Sequence, residues 1–136
     1  MRPLNRIILH YTETPEYMDV SIEDVRKWHK ERGFTDVGYH FLIRLDGSIE
    51  LGRDVKIVGA HTSGANGDSI GIAYVGGLIN NVQCDTRNLK QRVSLDVLIG
   101  YLRRVYGDHL NVLGHNDFSG KVCPGFDARK EYNDRD

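Results

Sequence analysis

At 136 residues, with 40% hydrophobic and 27% charged side chains, the chain has the length and composition of one globular domain spanning 1–136, and a second full domain is not expected. Lys+Arg 18 against Asp+Glu 19 leaves a net charge of -1, which excludes the basic footprint that grips nucleic acid phosphates or an anionic membrane. Two cysteines, Cys84 and Cys123, cannot make the disulfide framework of a small secreted fold, so Cys123 is free for other chemistry.

The chain starts Met1-Arg2-Pro3-Leu4-Asn5-Arg6 and then has only Ile7-Ile8-Leu9 as an apolar run. That run is far shorter than a signal peptide core or a membrane span, so synthesis in the cytosol is expected. Arg6 to Tyr11 is β-branched and aromatic without internal charge, which predicts a buried strand ending near His10. Ser21 with Asp24 three residues on has the form of a capping box. Ile22, Val25, Trp28 and His29 follow at helical spacing until Gly33, so a helix is expected over 21–32.

Tyr39 to Leu45 and Ser48 to Leu51 flank Asp46-Gly47, a pair that tolerates positive φ, and predict a hairpin. Ile57 to Ala60 and Ile70 to Val75 read as further strands on either side of the polar loop Thr62 to Ser69. Leu95, Leu98, Ile99, Leu102 and Val105 recur at three- and four-residue intervals, a second helix stopped by Gly107. Asn111 to Leu113 then predicts a short strand leading to His115, followed by the turn-rich loop Ser119 to Gly125 and a polar tail, 129–136, expected to fray. The order β-α-β-β-β-β-α-β predicts an α/β domain with a central mixed sheet of about five strands flanked by helices, its core over about 6–127.

Strand ends are where such sheets collect ligands, and His10 and His115 both fall there. Two imidazoles and the Cys123 thiolate are a donor set suited to zinc, and three protein ligands leave one tetrahedral corner open. The same residues also read as ordinary polar side chains at strand ends and a small buried cysteine before proline, and spacing does not separate the two readings.

A more specific pattern runs through the chain: His10-Tyr11, Trp28-His29-Lys30, Asp36-Val37-Gly38-Tyr39-His40-Phe41, Asp46-Gly47, Gly52-Arg53, Gly59-Ala60-His61, Ser69-Ile70-Gly71, Val75-Gly76-Gly77, His115 and Cys123-Pro124-Gly125-Phe126-Asp127. In this order the segments resemble the zinc-dependent N-acetylmuramoyl-L-alanine amidases, in particular short phage lysozymes, whose fold is shared with peptidoglycan recognition proteins. The resemblance covers about 10–127. It implies one Zn²⁺ held by His10, His115 and Cys123, catalytic roles for Tyr39 and Lys121, and substrate contact by His61 at the rim of a groove. His40 is expected to take a structural role, packed or bonded to a neighbour, Trp28 to pack on the sheet, and His29 either to back the site residues or to lie exposed; the Gly64-Ala65-Asn66-Gly67 loop and Gly76-Gly77 read either as places where backbone approaches a ligand or simply as turns. Cys84 is given no role.

The implied partner is bacterial peptidoglycan, cut at the amide between N-acetylmuramic acid and L-alanine by a monomer. The resemblance also implies synthesis in a host cytoplasm, passage to the wall through membrane lesions made by another phage protein, and, as alternatives, contact with a phage RNA polymerase or a binding module that has lost catalysis. Retention of Cys123 and Lys121 favours the enzyme.

Overall fold

The computed structural model describes residues 1–133. An interior strand of its main sheet is β1 (Arg6–Tyr11), every residue of which is buried except half-buried Arg6. A strand covered on both faces has no polar side to alternate with, which is why RIILHY reads as an unbroken apolar run. β1 pairs in parallel with β5 (Ser69–Tyr74) on one side and with β8 (Asn111–Gly114) on the other. Beyond β5 lie β3 (Phe41–Ile43), parallel, and β4 (Ile49–Leu51), antiparallel. The order is β4-β3-β5-β1-β8, the mixed five-stranded sheet expected from the sequence.

Alternation along the strands sorts the core into two halves. Ile7, Leu9, Ile70 and Ile72 meet Leu95, Leu98, Ile99 and Leu102 of the long helix. On the opposite face, Leu42, Ala73 and Val75 meet Ile22 and Val25 of the first helix, with Trp28 packed against the group. His10 pairs with Ala73 in register, so its imidazole leaves the sheet on the first helix's side.

The first helix, α1 (Ile22–Glu31), starts at Ser21, whose hydroxyl accepts the Asp24 N–H while the Asp24 carboxylate accepts the Ser21 N–H. The second, α2 (Leu89–Tyr106), starts six residues before the periodic run that predicted it. Its start is a second reciprocal box, Asn88 with Gln91. Gln91 also donates to the Val75 carbonyl at 2.9 Å, fastening the helix to the sheet.

Two expectations are corrected, and one further sheet is present that the sequence reading does not anticipate. Ile57 to Ala60 is not a strand: Ile57 and Val58 are exposed, and their carbonyls are taken by the side chains of His40 and Arg53 instead of a neighbouring strand. A small second sheet joins β2 (Thr14–Pro15), β6 (Gly77–Ile79) and β7 (Val82–Gln83) in the order β2-β6-β7. The polar tail folds in part as α3 (Ala128–Tyr132), with Ala128 and Tyr132 buried in the main core; positions 134–136 of that predicted tail lie outside the described residues. Arg87 locks this end, bridging Asp85, Glu131 and the Tyr132 hydroxyl while stacking 3.3 Å above the Phe126 ring.

Candidate metal centre

β1 and β8 are direct neighbours with Leu9 opposite Gly114, so His10 and His115 leave the sheet side by side, their ring centroids 4.8 Å apart. The loop after β8 folds back because the Asn116 N–H donates to the Cys123 carbonyl at 2.8 Å. That closure brings the Cys123 sulfur to the end of β1, where it accepts the Tyr11 N–H at 3.3 Å and lies 3.8 Å from His10 Nδ1. Donor atoms of His10, His115 and Cys123 all lie within 4.8 Å of one another.

The donor set fits a zinc-like ion. Donor separations around tetrahedral zinc are about 3.3–3.6 Å, so small side-chain rotations close this triangle. Burial first, then His61, His115 and Lys121, hold the His10 pKa well below its ordinary value; burial and Lys121 lower that of His115. Both rings are therefore neutral, the form that binds metal. Burial pushes the Cys123 thiol up to about 12 although the Tyr11 N–H opposes it, and a cation at the centre reverses that bias toward thiolate.

The centre opens on a cavity of about 460 Å³ whose wall includes Tyr39, His61, Lys121, His29, Arg32 and Phe34. The structure thus brings every sequence-predicted site residue to one place. The Tyr39 ring lies between His10 and His29, with centroids 5.2 and 5.3 Å away. Burial raises its phenol pKa, keeping the hydroxyl protonated at neutral pH. Lys121 is exposed on the loop before Cys123. His61 sits deeper than a rim residue: its Nδ1 lies 3.0 Å from His10 Nε2.

Other readings resolve differently. His40 Nδ1 accepts the Gly71 N–H and its Nε2 donates to the Ile57 carbonyl, so it ties loop to sheet as expected. Gly76 and Gly77 serve internal packing: a Cβ on Gly77 would stand 2.6 Å from the Tyr11 ring, and one on Gly76 2.2 Å from Thr86 Oγ1. Asn66 points its side chain inward to accept the N–H groups of both His61 and Thr62. His29 is buried and accepts the Gly38 N–H at 2.8 Å. Thr62 and the Arg32/Phe34 wall have no assignment from sequence, and Asn66 is assigned only as part of a backbone loop; for Thr62 the only signal is its place directly after His61.

An α/β sheet with two histidines and a cysteine gathered at its strand ends, open on one side, is a framework able to hold a metal ion with one side of the ion left accessible. The chain belongs to the N-acetylmuramoyl-L-alanine amidase family, whose model matches residues 1–126. It is 38% identical over 127 residues to an endolysin of Enterobacteria phage K11, covering 93% of this chain and 83% of that one. An endolysin of Escherichia phage T7 is 38% identical over 126 residues, 91% of this chain and 82% of the relative. Among solved structures, N-acetylmuramoyl-L-alanine amidase LysC from Clostridium intestinale URNW superposes with a TM-score of 0.81 at 31% identity, covering 96% of this chain and 82% of that chain. Drosophila PGRP-LB gives 0.81 at 27% identity, over 99% and 82%. Membership places the chain among amidase-type hydrolases of peptidoglycan amide bonds.

Proposed function

We propose that this chain, acting as one catalytic domain over 1–136, hydrolyses the amide between the lactyl group of N-acetylmuramic acid and L-alanine, with His10, His115 and Cys123 holding one Zn²⁺. The observation that carries the reading is a set of three ligating side chains facing a cavity, with no fourth His, Cys, Asp or Glu joining it among the described residues. Bound there, the ion supplies Lewis acidity toward the amide carbonyl and lowers the pKa of water.

The protein's own groups then have distinct tasks. Tyr39, a neutral phenol beside His10, donates a hydrogen bond to the carbonyl oxygen or positions the attacking water. The Lys121 ammonium, flanking Cys123, donates to the oxygen on which negative charge develops. His61 borders the groove where the glycan and stem peptide lie. The endolysins to which the chain is similar support a role in wall lysis for a phage. On that reading it is made in the host cytoplasm and reaches the wall through lesions opened by a separate protein.

Purified protein loaded with zinc is expected to release material with new L-alanine amino termini from peptidoglycan sacculi, and to lose that activity with a chelator. Appearance of new reducing sugar ends instead would identify a glycosidase and overturn the proposal.

A further inference from the structure

We infer that Thr62, backed by His61, is a positioning residue that fixes the ring tautomer of His10, presenting an acceptor to Nε2 so that the Nδ1 lone pair stays turned toward the Cys123 sulfur. The inference rests on the reading of His10 as a metal ligand and adds the device that orients it. An imidazole binds metal through the nitrogen without a proton, so whatever holds the proton on the other nitrogen sets both availability and aim.

His10 Nδ1 faces the thiol at 3.8 Å, and the opposite nitrogen, Nε2, lies 3.2 Å from Thr62 Oγ1 and 3.0 Å from His61 Nδ1. Thr62 Oγ1 is in turn 2.9 Å from His61 Nδ1. One assignment of protons satisfies these contacts with Nδ1 of His10 bare. His10 Nε2–H donates to the threonine oxygen, the threonine hydroxyl donates to His61 Nδ1, and His61 carries its proton on Nε2, 3.4 Å from Ser69 Oγ.

The surroundings are built to hold this chain. Thr62 is 2% exposed, and the Asn66 side-chain oxygen accepts the backbone N–H of both His61 and Thr62, fixing the pair as a unit. The His61 ring rests where a side chain would otherwise stand: a Cβ on Gly71 would lie 2.5 Å from it and one on Gly59 2.7 Å. Gly71 is on β5 opposite Ile8 of β1, on the sheet face that carries His10. Glycine at both positions leaves the space that the ring occupies.

The test compares Thr62→Val, which keeps the shape without the hydroxyl, with Thr62→Ser, which keeps the hydroxyl. Each full-length apoprotein is titrated with Zn²⁺ against a chromophoric chelator, and the His10 ring-nitrogen shifts are read by NMR without metal. Expected are an affinity loss of about 10- to 100-fold for Thr62→Val, near-native affinity for Thr62→Ser, and a wild-type His10 protonated on Nε2. Wild-type affinity in Thr62→Val, or a wild-type His10 protonated on Nδ1, overturns the inference; the NMR measurement decides alone should Thr62→Val not fold. A wild-type protein that binds no zinc at all instead removes the metal reading beneath it.

Discussion

The backbone N–H of Tyr11 donates to the Cys123 sulfur across 112 positions of sequence. The strand that delivers the first histidine is thereby the same strand that seats the thiol. Cys123→Ser puts a harder, poorer donor at this point, and zinc affinity and amidase turnover are both expected to fall by orders of magnitude. Cys84→Ser, altering a residue outside the three-donor cluster, is expected to change neither. Zinc content and turnover measured on one preparation check both.

Tyr39→Phe keeps the ring between His10 and His29 and removes only the hydroxyl, while Lys121→Ala removes an exposed cation. Both variants are expected to retain zinc stoichiometry and to lose about 10²–10³ in kcat, the scale of one lost transition-state donor. Full kcat in either variant would remove that residue from the catalytic assignment.

Burial lowers the pKa of His29 and of His40 to about 4 from the ordinary 6.5. Between these values the unfolded chain binds protons that the folded chain refuses, so stability rises with pH through this window and falls on acidification from about 6.5 toward 4. Each histidine kept neutral contributes a slope of up to about 1.4 kcal/mol per pH unit. Urea unfolding midpoints of the apoprotein are expected to drop steadily from pH 7 to pH 5.

The Arg87 guanidinium is 1% exposed and paired with Asp85 and Glu131. Arg87→Met removes the buried cation while Arg92 still reaches both carboxylates, at an expected cost of about 1–3 kcal/mol. Denaturant unfolding checks the magnitude. Because the bridge anchors α3, limited proteolysis is expected to remove the C-terminal segment of the variant first.

The parts of the fold legible in the sequence were those whose cause is local. The Ser21/Asp24 box, the Asp46-Gly47 turn and the spacing of Leu95 to Leu102 each carry their reason within a few residues. The Asn88/Gln91 box is equally local and marks the true start of α2, but it precedes the apolar run from which the helix is read. What was not legible depends on distant partners. Ile57 and Val58 have strand-like side chains, yet nothing pairs with them in a sheet because His40 and Arg53 occupy their carbonyls. The polar segment ARKEY becomes a helix because Tyr132 finds the core and Arg87 finds Glu131. At the site, residue types and order gave the three donors, whereas the Thr62 contact to His10 depends on how the loop after His61 is pinned by Asn66.

The order in which the donors occur along the polypeptide has a consequence for biosynthesis. His10 emerges early, but its companions come from β8's end and the loop beyond it, at 115 and 123. A nascent chain that has reached only position 122 therefore lacks one of the three donors, and the cluster can close only once Cys123 has been added.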